Sequence, residues 1–249
     1  MTTETFVTDA GMTVPAATTD QMREVDRVAI EEVGPNLYQM MENAGRNLAL
    51  TVLETLGANW ASTPITVLAG TGGNGGGGIC AARHLANRGA DVTVAITDPR
   101  GLTSVPNQQL EVYRGTPGKL ADLAAVDTLR PGLVLDAIIG YSLGGAPHGV
   151  ARRMIEWIGD QPAPVLSLDV PSGIDSTTGQ AHGVHVRASV TLTLALPKTG
   201  LDAATVGELW LADIGIPREV YRRVGIDVPT GVFGNRFRVA VRPSSGDHA

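Results

Sequence analysis

The chain has 249 residues, 43% of them apolar and only 4% aromatic, enough to bury a sizeable core without disulfides or a structural metal. A net charge of −6 and a pI near 5.3 argue against nucleic acid as the main partner, since that role favours a basic face. Cys80 is the one cysteine; it excludes an intrachain disulfide, fits a reducing cytoplasmic setting, and its small apolar neighbours mark a buried structural thiol.

Residues 1–18 are Thr-rich, lack the basic start and apolar core of a signal peptide, and read as a flexible segment. No apolar run approaches the ~18 residues needed to span a bilayer, so no membrane partner is expected. Thr19 or Asp20 can cap a first helix, in which Met22, Val25, Ala29 and Val33 recur at helical spacing until Gly34-Pro35 stops it. Asn36 opens a second, whose stripe Leu37, Met40, Met41, Ala44, Leu48, Val52 and Leu56 ends at Gly57. Two helices ahead of the first strong strand set the chain apart from a plain dinucleotide-binding domain.

From Ile65 the rhythm becomes strand, loop, helix. Residues 65–69 read as a short buried strand, 70–78 as a loop, 79–87 as a helix and 91–97 as the next strand. Residues 102–128 give a polar helix and irregular connections. Strand signals return at 133–136, 165–169, 190–194 and 209–212, with a helix at 151–158. This alternation predicts an α/β fold, a mainly parallel sheet covered on both faces. Residues 236–242 alternate arginine with apolar residues, the period of an edge strand with Phe237, Val239 and Val241 inward and the arginines solvated. The reading is one domain over 19–242, with a disordered tail at 243–249.

The loop Gly70-Thr71-Gly72-Gly73-Asn74-Gly75-Gly76-Gly77-Gly78 holds seven glycines in nine positions. One or two would satisfy a strand-to-helix turn; this density leaves a run of N–H groups unshielded, which suits an anionic group at a helix N-terminus. Asn74 is the polar side chain in its middle. Two other strands end in carboxylates, Asp136 and Asp169, the latter in Asp169-Val170-Pro171-Ser172-Gly173. Parallel strands present their carboxyl ends on one sheet edge, where ligands bind, so Asn74, Asp136, Asp169 and Ser172 are expected to converge. Their donor atoms are oxygens, so any metal should be a hard or alkali cation and not zinc.

Two other motifs compete. Gly70-x-Gly72-x-x-Gly75 matches the dinucleotide fingerprint, almost automatically in so glycine-rich a loop, and the ribose-binding acid is not well placed at Asp91 or Asp98. Gly140-Tyr141-Ser142-Leu143-Gly144 matches the nucleophile elbow, which would make Ser142 a serine-hydrolase nucleophile; but the elbow needs a helix directly after the serine, where Gly144-Gly145-Ala146-Pro147 prolongs a loop. The five histidines form no metal cluster.

Six segments in order carry a family resemblance: Met41-Glu42-Asn43-Ala44-Gly45; the Asn74 loop running into Ala81-Ala82-Arg83-His84-Leu85; Asp136-Ala137-Ile138-Ile139-Gly140; Asp169 to Asp175; Ala195-Leu196-Pro197-Lys198-Thr199-Gly200; and Ala212-Asp213-Ile214-Gly215-Ile216-Pro217. Through these the sequence resembles the NAD(P)H-hydrate epimerase family, the YjeF N-terminal domain, from about Met22 to Pro217. The resemblance implies a Rossmann-like three-layer αβα sandwich, epimerisation of the R and S forms of hydrated NADH and NADPH (NADHX and NADPHX), and a bound potassium ion. By motif matching, Asn74, Asp136 and Ser172 would hold that ion and Asp169 would contact the nicotinamide hydrate. Gly73, Asn74, Gly75, Gly76 and Gly77, with Gly140, Tyr141, Ser142, Leu143, Gly144, Gly145 and Ala146, would line the ligand, and Lys198 is a candidate for its phosphate. The small molecule is then the partner; a homodimer is left open.

The family's loop typically reads Gly-x-Gly-Asn-Asn-Gly-Gly-Asp-Gly; here Gly73 replaces the first Asn and Gly77 the Asp. A carboxylate at a helix start can cap it and touch ligand. Asp169 is the catalytic candidate, an acid–base group for a hydroxyl that leaves and returns. A noncatalytic ligand-binding module of the same fold is the second reading.

Overall fold

The structure, a computed structural model, describes residues 4–244. In chain order the elements are β1 (Thr5–Thr8), β2 (Thr13–Pro15), α1 (Thr19–Val28), α2 (Leu37–Leu56), β3 (Ile65–Ala69), α3 (Gly73–Ala86), β4 (Val92–Ile96), α4 (Ser104–Arg114), β5 (Lys119–Ala121), β6 (Leu133–Ala137), α5 (Gly149–Gly159), β7 (Val165–Leu168), β8 (Val190–Leu194), α6 (Ala203–Val206), β9 (Glu208–Ala212), α7 (Arg218–Arg223) and β10 (Arg238–Pro243). The strands form one sheet in the order β2-β1-β10-β9-β8-β7-β6-β3-β4-β5. All pairings from β9 to β5 are parallel; β10, β1 and β2 join antiparallel.

The parallel strands are runs of Val, Ile and Leu because helices cover both faces. Met40, Ala44 and Leu48 of α2 and Ile79, Ala82 and Leu85 of α3 belong to the core on one side. Met154, Ile155 and Ile158 of α5 pack with Val134 and Val165 on the other. The strand order reverses between β3 and β6: β3 leads through α3 to β4 on one flank and pairs with β6 on the other. A crevice opens at such a switch point, beyond the carboxyl ends of the strands.

Both leading helices begin in capping boxes. Thr18 accepts from Gln21 N and Asn36 from Gln39 N, while each glutamine side chain reaches back to the cap N–H. Between them Ala29–Val33 widens into a π turn that Gly34 ends at φ 116°.

Several expectations need correction. The helix expected from Ile79 starts at Gly73, so the glycine run is its first turn and a half. Gly75, Gly76, Gly77 and Gly78 are buried, and a Cβ on any of them would meet the chain packed against it: the Gly70 backbone, Met41, Leu168 or Ala137. Close packing outweighs the roughly 1 kcal/mol per residue by which glycine disfavours a helix.

Residues 4–18 are not a flexible segment: Phe6 and Val14 are buried, and β1 pairs with both β2 and β10. That pairing makes β10 an interior strand and not an edge. Val239 and Val241 point inward as expected, but Phe237 lies ahead of the strand and is 66% exposed. Arg238, expected in solvent, is buried over the Trp210 ring at 4.4 Å and ion-paired with Glu54. Of the expected tail, Pro243 belongs to β10 and Ser244 N donates to Thr5 O at 3.0 Å; residues 245–249 lie outside the described residues.

Candidate active site

A cavity of about 460 Å³ opens at the carboxyl ends of β3, β6, β7 and β8, within the size range of small-molecule sites. Its walls include Asn74 and Gly77 of α3, Gly140 to Ser142 after β6, Asp169, and Asp26 with several methionines from α1 and α2.

Asp169 follows β7 directly and holds φ 70°, a left-handed conformation that Asp tolerates better than most residues. Its N–H donates to Leu192 O at 2.7 Å. Its carboxylate accepts from Tyr141 N at 3.0 Å and Leu194 N at 3.3 Å, and is ion-paired with Lys198. Lys198 is 0% exposed and also donates to Leu194 O at 2.8 Å and Thr193 Oγ1 at 3.2 Å. A buried ammonium persists only when paired and bonded in this way. Lys198 is therefore the partner of Asp169 in the cavity floor, with its donors committed, and the expected phosphate contact does not fit. Ala195, beside the same pair, also holds a positive φ, 65°. Two non-glycine residues in that region at one cavity are strain placed where function usually is.

Below this lies a second group. Asp136 is fully buried and accepts from Ser172 Oγ at 2.5 Å, Ser172 N at 2.9 Å, Ser167 Oγ at 2.8 Å and Ile138 N at 3.3 Å. Burial pushes its carboxyl above the ordinary range and the bonds from Ser172, Ser167 and Ile138 oppose this; among the described residues no positive side chain is ion-paired with it. Both polar atoms of the Asn74 amide are buried and have no hydrogen-bond partner among the described residues. A Cβ on Gly140 would lie 3.2 Å from Asn74 Oδ1 and from Asp169 Oδ2, so the bare glycine lets both oxygens face one small space. A buried amide oxygen without a partner, and a buried acid without an ion-paired partner among the described residues, are the kind of donors that a cation with oxygen preference uses. The residues fit the expected ion.

The other expected lining residues divide. Gly73, Asn74, Gly77, Gly140, Tyr141 and Ser142 line the cavity; Gly75, Gly76, Leu143, Gly144, Gly145 and Ala146 are not part of its lining. The hydrolase reading fails on geometry. Ser142 is exposed on a turn, the next helix begins only at Gly149, and among the described residues no histidine bonds its hydroxyl. Cys80 is buried as expected, its thiol pushed up to about 12 by burial and by Glu42. Glu42, Cys80 and His84 approach within 4.8 Å of one another, but Arg83 donates to both Glu42 and Cys80 and supplies the positive charge there.

Sequence reasoning missed Asp26. It lies on the buried side of α1 with Met22, Val25 and Ala29, and an acid in an apolar stripe was the available signal. Its Oδ2 accepts from Tyr141 Oη at 2.6 Å.

Over residues 37–200 the chain matches the family described as YjeF-related protein N-terminus. The NAD(P)H-hydrate epimerase of Dehalogenimonas lykanthroporepellens is 50% identical over 221 residues, which cover 89% of this chain and 90% of that protein. This chain belongs to the YjeF-related N-terminal family. Another family relative, the bifunctional NAD(P)H-hydrate repair enzyme Nnr of Salinibacter ruber, is 36% identical over 229 residues, but the match spans only 42% of its length. The crystal structure of yeast ynu0 superposes with a TM-score of 0.78 at 22% identity, covering 90% of this chain and 99% of that one, and shares the YjeF-related fold. No described helix is long and apolar enough to cross a membrane.

Proposed function

We propose that this chain interconverts the R and S forms of hydrated NADH and NADPH, a repair isomerase acting in the cytoplasm. The observation that carries the reading is Asp169. It is an ion-paired carboxylate on a strained backbone position, facing a cavity of about 460 Å³, in a chain sharing half its residues with an NAD(P)H-hydrate epimerase over nine-tenths of both lengths.

The hydrate carries a hydroxyl at C6 of its reduced ring. Loss of that hydroxyl leaves a ring iminium, and water returning to the opposite face gives the other epimer. Asp169 suits this chemistry: its negative charge stabilises the cationic ring, and its carboxylate can take the proton of the incoming water. Lys198 fixes the carboxylate's orientation from below. Asn74, Asp136 and Ser172 would hold a potassium ion, which when bound supplies positive charge against the buried Asp136.

The test is an epimerisation assay on the purified protein with both hydrates, run in H₂¹⁸O and resolved by chromatography. Acceleration above the spontaneous rate with ¹⁸O entering at C6 is expected. Binding of the hydrates without acceleration would favour the noncatalytic module, and acceleration without label would exclude loss of the hydroxyl.

A further inference from the structure

Asp169 explains one proton transfer, but inversion through a planar ring needs two: a proton delivered as hydroxyl leaves one face, and one removed as water enters the other. The cavity holds a second carboxyl. Asp26 comes from α1, a different wall from the strand ends that carry Asp169, and both line the same space. Tyr141 joins them, its backbone N–H donating to Asp169 Oδ2 at 3.0 Å and its hydroxyl to Asp26 Oδ2 at 2.6 Å. The two carboxyls are therefore held at the two ends of one tyrosine. Asp26 Oδ1 has no hydrogen-bond partner among the described residues, so it is free to carry a proton.

The wall bearing Asp26 is pinned to the loop bearing Tyr141. Thr19 N donates to Thr177 Oγ1 at 2.9 Å, Thr19 Oγ1 meets Ser176 Oγ at 2.6 Å, and Ser176 Oγ donates to Tyr141 O at 2.8 Å. We infer that Asp26 is a second catalytic residue, the proton donor to the departing hydroxyl, working with Asp169 as acceptor and spaced from it by Tyr141. The inference rests on the epimerase reading above.

The surroundings of Asp26 suit the protonated form. Burial pushes its carboxyl above the ordinary value, the Tyr141 bond and the Lys198 charge pull it down, and Asp169 pushes it up. Tyr221 of α7 also faces it, and Arg23 of its own helix lies near Tyr141. Asp169, by contrast, is committed to Lys198 and two backbone N–H donors, the bonding of an acceptor. Two carboxyls in unlike environments divide into acid and base.

The step balances. The C6–O bond breaks with its pair on oxygen, which takes the Asp26 proton and leaves as water, while the ring nitrogen's lone pair forms C=N. Water then attacks C6 from the other face, the C=N pair returns to nitrogen, and Asp169 takes the proton. The enzyme is left with Asp26 ionised and Asp169 protonated, the form required for the reverse direction, and proton exchange with solvent restores the first form.

The experiment compares wild type, Asp26→Asn and Tyr141→Phe by kcat, KM and pH–rate profile in both directions, with thermal unfolding as a check on folding. Wild type should lose rate as pH rises through the Asp26 titration. Asp26→Asn should lower kcat by about 10²–10⁴ with KM nearly unchanged, and abolish that limb. Tyr141→Phe removes a hydrogen bond that favours the charged carboxylate, so the limb should move to higher pH, which a merely structural contact would not produce. If Asp26→Asn does not fold, the shift in Tyr141→Phe decides. An Asp26→Asn kcat within about twofold of wild type, or an unmoved limb in Tyr141→Phe, overturns the inference while leaving the epimerase reading intact; wild type without epimerisation overturns both.

Discussion

Replacing Lys198 by Met removes the positive charge from the cavity floor and keeps the stem's volume. The ammonium side chain is 0% exposed and the carboxylate of Asp169 5%. Water can therefore replace the lost partner only in part. Breaking a buried ion pair from one side costs about 3–5 kcal/mol, because the surviving charge stays buried and uncompensated. Leu194 O and Thr193 Oγ1 lose a donor at the same time, which places the value toward the upper end. At about 2–4 °C per kcal/mol for a chain of this size, thermal unfolding should fall by roughly 6–20 °C. Urea unfolding would measure the free energy directly, and the double variant Lys198→Met/Asp169→Leu closes a double-mutant cycle. With both charges gone the double variant should be no less stable than Lys198→Met alone. A loss below about 1 kcal/mol in Lys198→Met, or losses that simply add, would refute the uncompensated-charge argument.

Four further outcomes are expected. Asp169→Asn should slow epimerisation by about 10²–10⁴ while hydrate binding, measured by calorimetry, persists. Gly77→Asp restores the acid typical of the family's loop but places a Cβ 2.8 Å from Leu168 Cδ2 in the core, so it should destabilise by about 1–3 kcal/mol in urea titration and not raise activity. Rubidium-soaked crystals should show anomalous signal between Asn74, Asp136 and Ser172; an ordered loop with no peak there would remove the ion from the account. Burial raises the Glu42 carboxyl, but bonds from Arg83, Cys80 and His84 outweigh it and hold the group at about 2. A depressed acid contributes stability above its ordinary value that is lost as pH falls, so the gap between wild type and Glu42→Gln should close between pH 4.5 and 2 in thermal melts.

What the sequence showed and concealed follows from the range of each interaction. The boundaries of α2 were legible because Asn36, Gln39 and Gly57 act within a few residues of themselves. The convergence of Asn74, Asp136, Asp169 and Ser172 was legible because parallel strands deliver their carboxyl ends to one edge whatever their order. The start of α3 was not, since local propensity speaks against helical glycine and the packing that overrides it comes from Met41, Ala137 and Leu168, far along the chain. The edge was misread because β1, more than two hundred residues away, pairs with β10, and Arg238 because its partners Trp210 and Glu54 lie on β9 and α2. Lys198 looked like a free hook because its partner, Asp169, lies 29 positions earlier, just past the end of β7.

The π turn at Ala29–Val33 acts as an angular ruler. One residue advances a helix by about 100°, and a π turn is one residue more than the α-helical path needs. Deleting a single residue there would shift the phase of the chain that follows by about a quarter turn relative to Met22 and Asp26, which Thr19 anchors from the other end. The α2 wall of the cavity, with Leu37, Met40 and Met41, would then meet the α1 wall in a different phase. In this fold the spacing between two helices, and not only the residues on them, fixes what the cavity offers a ligand.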